Sequence, residues 1–193
     1  MRTAWGYEVS GEIEPIISVE DFNTMTGNVY ANNPRVTSAL KAASQAIRNY
    51  CGWHVAPSMA CTAYPEGDTK VMRLPAMYVS AISKVIQGGE ELHDVIWRYD
   101  GLLKRDEGEW SDKWNDIKVE YTAGFNTSAV PDLAETVCSI AMGVLAVSAG
   151  VSSESADGVT ISYRQDAASI AASLTSQQKS ALEPYKVVSS HAA

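Results

Sequence analysis

The residues whose types could do chemistry are few and scattered. His54 follows Trp53, His93 stands beside Asp94, and His191 has two residues after it in the sequence. A carboxylate next to an imidazole can orient it as a general base. Neighbouring residues on a strand point to opposite faces, however, so His93 and Asp94 are poorly placed to pair. We expect His54 and His93 to be partly exposed surface residues and His191 to sit in a mobile tail. Cys51, Cys61 and Cys138 are odd in number and lack the short gaps of a zinc ribbon. They read as small buried apolar residues of a reducing compartment. The acidic groups Glu66/Asp68, Glu90/Glu91 and Asp106/Glu107/Glu109 offer hard oxygen ligands. None has the alternating spacing of a calcium loop, and solvated turn tips account for them. No nucleophile elbow, glycine-rich phosphate loop or H-E-x-x-H motif is present. The reading is therefore no catalytic residue, no metal and no cofactor, with an enzyme site near His54 or His93 as a weak rival.

Aromatic residues offer the other candidate surface. Trp97 and Tyr99 are two apart, and Trp110 and Trp114 flank an acidic turn. They could form a sugar-stacking platform, fill the seam between a sheet and its helices, or lie at a subunit interface. The first reading would make the chain a carbohydrate- or cell-wall-binding module.

Bulk composition narrows the classes. The 193 residues are 46% hydrophobic and 20% charged, with a formal charge of −8, as suits a chain with a sizeable core. An acidic chain is a poor phosphate neutraliser, although it can let DNA pass without holding it. The opening "MRTAWGYEVSGEIEP" shows no apolar signal core. The most apolar stretch, 133–149, contains Glu135, Ser139, Gly143 and Ser148 and reads as a buried helix rather than a membrane span.

The elements that must position these residues follow from periodicity. Residues 1–17 read as a flexible arm. Ser18 caps a short helix, with Asp21 three residues on. Asn33 and Pro34 open a longer one, in which Val36, Leu40, Ala43, Ile47 and Tyr50 form one apolar stripe. From 55 to 125 the chain turns β-rich. A hairpin is expected around Glu66-Gly67-Asp68, then a meander with turns at Gly88-Gly89 and Asp100-Gly101. A last strand follows, with Ile117, Val119 and Tyr121 on one face. Pro131 opens a second long helix to about Ala149. A polar linker, a short extended segment and a helix from about Thr175, ended by Pro184, complete the chain. The fold class is α+β: a small helical bundle, 18–54 and 131–186, carrying a β-hairpin- and meander-rich insertion, 55–125, between its two long helices. Residues 187–193 form a flexible tail.

The ordered set of parts resembles a known family. It comprises Tyr50-Cys51-Gly52 at a helix end, Leu74-Pro75 before a Val-rich strand, and a G-x-x-L turn from Gly89 to Leu92. Val119 through Gly124 then precede Pro131, and Leu182 through Tyr185 close the last helix. Over roughly residues 18 to 186 this resembles the head-to-tail connector (adaptor, or head-completion) proteins of long-tailed bacteriophages and prophages. The resemblance implies a structural virion protein and not an enzyme. Made in the host cytoplasm, it would form a ring, commonly of twelve subunits, between the portal and the tail. The ring would extend the DNA channel and dock the stopper or the tail. Partners would be the portal, a stopper or tail-completion protein and further copies of the chain, with DNA passing unbound and no membrane. Twelve copies would carry roughly a hundred negative charges, which disfavours DNA adhering to a channel wall. By the same resemblance Tyr185, Lys186, Val187 and Val188 are candidates for portal contact, and Trp97, Tyr99, Trp110 and Trp114 for subunit or tail contact. A stopper or tail-completion role in the same assembly is the nearest alternative.

Overall fold

The computed structural model describes residues 1–67, 70–146, 153–156, 159–162 and 174–187. Over the described residues the chain is α+β, with four α-helices and antiparallel sheets. It divides into two compact units. The first holds Met1–Glu14, Cys51–Ala129 and the segment from Tyr185 onward; the second holds Pro15–Tyr50 and Val130–Pro184.

The second unit carries the helices. Helix α1, Val19–Met25, begins with a capping box in which the Ser18 hydroxyl accepts from the Asp21 amide and the Asp21 carboxylate accepts from the Ser18 amide. Helix α2, Val36–Cys51, starts where the Asn33 side chain accepts from the Arg35 amide at 2.9 Å. Its buried stripe is Val36, Ala39, Leu40, Ala43 and Ile47, at positions i, i+3, i+4, i+7 and i+11 of one helix face. Burying a side chain such as Leu40 or Ile47 stabilises by about 1.5–3 kcal/mol. Tyr50, read as part of that stripe, is half-exposed, and its hydroxyl donates to the Glu183 carboxylate at 2.7 Å. Helix α3, Pro131–Ala146, buries Leu133, Val137, Ile140, Ala141 and Val144; residues 147–149 of the expected helix lie outside the described residues. Arg35 of the α2 approach donates to the Val144 carbonyl of α3 at 3.4 Å. Helix α4, Ser176–Leu182, opens with a second capping box, Thr175 with Gln178, and runs into a 3-10 turn, Glu183–Tyr185.

Strands β1 (Tyr7–Val9), β2 (Met59–Ala63), β3 (Val71–Arg73), β4 (Val79–Gln87), β5 (Glu90–Glu91), β6 (Val95–Trp97), β7 (Leu102–Arg105) and β8 (Ile117–Ala123) build the first unit. Two more, β9 (Ser153–Ala156) and β10 (Val159–Ser162), pair with each other in the second. A five-stranded sheet runs in the order β1-β2-β8-β4-β5, and a three-stranded one β3-β7-β6. Strand β8 alternates as its sequence predicts, with Ile117, Val119, Tyr121 and Ala123 buried. Gly88 and Gly89 turn β4 into β5 with φ of 63° and 87°. A two-residue loop with positive φ at both positions matches the twist of the strands it joins.

Three expectations are overturned. The first residues are not a loose arm. Strand β1 pairs with β2, placing Tyr7 opposite Ala63 and Val9 opposite Cys61, and Tyr7, Val9, Ile16 and Ile17 are buried. A three-residue edge strand is too short for periodicity to reveal, and its partner lies more than fifty residues away. The expected hairpin between β2 and β3 is not formed. Strand β2 pairs with β1 and β8, whereas β3 pairs with β7. The connection instead passes from one sheet to the other, with Gly67 lying against Trp110 and Ile117; Asp68 is outside the described residues. The meander likewise resolves into two hairpins in different sheets, β4-β5 and β6-β7.

Candidate functional site

In the first unit the segment after α2 builds a buried polar node. Trp53, His54, Val55 and Ala56 have no solvent exposure. His54, expected at the surface, instead meets Tyr7 of β1 and Ala123 of β8. Its Nδ1 lies 2.7 Å from the Tyr7 hydroxyl and its Nε2 3.0 Å from the Ala123 carbonyl. A carbonyl only accepts, so Nε2 carries the proton and Nδ1 accepts from Tyr7. The same hydroxyl accepts from the His54 backbone amide at 2.9 Å. Burial of an imidazole is stabilising only when its polar atoms are paired in this way.

The backbone around the node is tightly constrained. Val55 has φ of 61°, and the Ala56 amide donates to the His54 carbonyl at 2.7 Å across it. This is the rare, strained form of γ-turn, held in place by its surroundings. The Phe125 amide donates to the Val55 carbonyl at 2.8 Å. Gly124 has φ of 104°, and a Cβ there would lie 2.6 Å from His54 Nε2 and press on the Pro57 carbonyl. The strand-to-helix joint thus needs its glycine for space as well as for backbone conformation.

From the node a chain of aromatic rings runs to the surface. The Trp53 indole donates to the Tyr185 carbonyl at 2.6 Å. Phe125 meets Trp53 and Tyr185 edge-on, with centroids 5.9 and 5.4 Å apart, and stacks on Tyr78 at 4.7 Å. Tyr78 stacks on Tyr99 at 6.3 Å, and Trp97 stands edge-on to Tyr99 at 5.5 Å. The Val187 amide donates to the Cys51 carbonyl at 2.9 Å, so the end of the described chain is pinned to the end of α2.

The candidate contact residues separate accordingly. Tyr99 is 66% exposed and Trp114 is 82% exposed, with Trp97 half-exposed. Trp97 and Tyr99 touch, but their rings are inclined at 79° and form no flat stacking platform. Trp110 is buried, and its indole donates to the Lys70 carbonyl at 3.1 Å. Tyr185 is also buried in the aromatic chain. Lys186 is exposed and Val187 half-exposed, while Val188 lies outside the described residues. An open groove of about 1020 Å³ brings Trp114 and Val187 together with Trp5, Tyr64 and Pro75.

Burial and ion pairing set the state of the cysteine and aspartate side chains. Burial pushes the Cys61 thiol up to about 12, against a weaker opposing hydrogen bond from the backbone. The Cys138 thiol is also raised by burial. A protonated thiol is a weak nucleophile. Asp94 pairs with Arg105 at 2.9 Å rather than with His93, and that hydrogen bond holds its carboxyl below the usual range. Among the described residues no group of three His, Cys, Asp or Glu side chains is placed to hold a metal ion. No described helix is long and apolar enough to cross a membrane.

The model of the head completion protein family matches residues 15–186. The chain belongs to that family. Three solved structures share its fold at low identity. A chain of the neck of an empty GTA particle, computed with C6 symmetry, is 13% identical at a TM-score of 0.57, covering 86% of this chain and 92% of its own. The neck of a native GTA particle, computed with C12 symmetry, gives 15% identity and a TM-score of 0.57 over the same shares. The virion of a native gene transfer agent particle gives 14% identity and a TM-score of 0.61, covering 95% of this chain and 96% of the other. No match was found among curated proteins. In this head completion protein the node around His54 and Gly124 joins the first strand, the segment after α2 and the end of β8. Sequence reasoning missed it because its partners are remote in the chain. The usable signal was Gly124 itself, directly after a strand and ahead of a helix.

Proposed function

We propose that this head completion protein assembles as a ring between the portal and the tail, extends the DNA channel and offers a docking surface to the stopper or tail. The family match over residues 15–186 carries this reading. The fold it shares with chains of particle necks computed with C6 and C12 symmetry supports it. So does the charge of −8 on each copy, which would keep DNA mobile within a ring. Portal contact is assigned to Lys186 and Val187 with Val188 beyond them. Tyr185 acts from beneath, since its carbonyl and ring hold this segment onto Trp53 and Phe125. Tyr99, Trp97 and Trp114 present the aromatic surface available to neighbouring proteins.

The test adds the purified chain to portal-bearing heads and images the portal vertex by electron microscopy. A ring of density on the portal is expected, and its loss when residues 188–193 are removed together with Lys186→Glu. Density one ring further out would assign the stopper role instead. No density at the vertex would refute the proposal.

A further inference from the structure

The outer face of the three-stranded sheet has an unusual chemistry for so acidic a chain. Cross-strand register sets Val71 of β3, Lys104 of β7 and Ile96 of β6 in one row. The next row on the same face is Arg73, Leu102 and Arg98, the last joined through its amide to the Leu102 carbonyl at 2.9 Å. Cations and aliphatic side chains therefore alternate in both directions. The opposite face is the buried one, with Met72 and Leu103. Ile96 is 54% exposed and Lys104 is exposed. Asp100 beside this face is paired with Arg98 at 3.1 Å, and its carbonyl accepts from Arg73 at 3.0 Å; Glu66 and Asp112 line the groove at the Val71, Arg73 and Leu102 end, away from Ile96 and Lys104. The face thus offers apolar contact and positive charge.

The complementary chemistry is found in the same chain. No Lys or Arg lies between Arg2 and Arg35, while Glu8, Glu12, Glu14, Glu20 and Asp21 do. Helix α1 exposes Val19, Glu20 and Met25, and Val29 just after it is 77% exposed. Phe22 takes the buried side of the helix. This surface is apolar and acidic where the sheet face is apolar and basic.

We propose that the sheet face around Ile96 and Lys104 of one copy seats the acidic-apolar α1 segment, Val19 to Val29, of the next copy. Two different patches of one chain then meet in a head-to-tail contact, which closes into a ring when the rotation permits. The alternative, sheet face against sheet face, would oppose Lys104, Arg73 and Arg98 to their own copies and is disfavoured by like-charge repulsion. The inference rests on the ring reading above and assigns the surfaces that make the ring.

Cross-linking of the full chain tests it. The three native cysteines are buried, so Ile96→Cys and Met25→Cys each add one accessible thiol. A short bis-maleimide should join the two variants when mixed and leave each alone uncoupled. The double variant should give a ladder of multimers. Lys104→Glu should weaken self-association at least tenfold by sedimentation, and adding Glu20→Lys should restore it. Circular dichroism checks that these exposed changes leave the fold intact. Rings that persist in Lys104→Glu, with no coupling between Ile96→Cys and Met25→Cys, overturn the surface assignment and leave the ring standing. A wild-type chain that stays monomeric, forms no ring on the portal and gives no cross-link overturns both.

Discussion

Replacing Gly124 with alanine should be the most damaging single methyl addition in the first unit. Two costs combine. The backbone there has φ of 104°, a conformation that costs a residue with a Cβ about 1–2 kcal/mol. The added carbon would also lie 2.6 Å from His54 Nε2. His54 cannot step aside, because both its ring nitrogens are engaged, and the Pro57 carbonyl is backbone. Overpacking of this kind costs about 1–3 kcal/mol. The sum, about 2–5 kcal/mol, is a large part of an ordinary domain's stability. For a chain of this length it should lower Tm by about 5–15 °C. Gly88→Ala is the control: its φ of 63° is also unfavourable, but nothing lies within 4 Å of its Cβ. Urea unfolding followed by tryptophan fluorescence measures both, with the buried Trp53 as a reporter. If Gly124→Ala falls within about 0.5 kcal/mol of Gly88→Ala, the crowding argument at the node is wrong.

Tyr7→Phe removes the donor to His54 Nδ1 and the acceptor for the His54 amide, and should cost about 1–3 kcal/mol in urea unfolding. It should also hasten proteolysis near the N-terminus, because β1 is tied down partly through that hydroxyl; unchanged cleavage would contradict this. Asp94 should titrate below the ordinary aspartate range in the native protein, held down by the Arg105 hydrogen bond, and move back up in Arg105→Ala, read by carbon NMR of the carboxyl. The lowered value means that this pair's stabilisation is complete above the unfolded carboxyl pKa and is lost as pH falls through the folded one. Cys61, raised to about 12, stays protonated in the native state where an unfolded thiol would ionise. Its contribution is therefore full below about pH 9 and is lost as pH rises toward 12. Native protein at pH 8 should leave Cys61 unmodified by a disulfide reagent, and addition of urea should expose it.

The sequence by itself determined the local elements. Ser18, Asn33 and Thr175 mark helix starts because a cap needs only residues within one turn of it. Gly88-Gly89 marks its turn, and the alternation from Ile117 to Ala123 its strand, for the same reason. The ordered series of such elements, from the end of α2 to Pro131 and Leu182–Tyr185, was also enough to point to the family whose model matches residues 15–186. Tertiary structure alone decided which strands pair. It separated β2 from β3, moved β1 from a loose arm into a sheet, and buried His54 against residues 47 and 69 positions away. It also divided the aromatics, burying Trp110 and Tyr185 while leaving Tyr99 and Trp114 exposed. The physical reason is range. Caps, turns and strand alternation are fixed by backbone geometry over a few residues. Strand pairing and burial depend on which distant surfaces exclude water together, and local patterns carry no record of that.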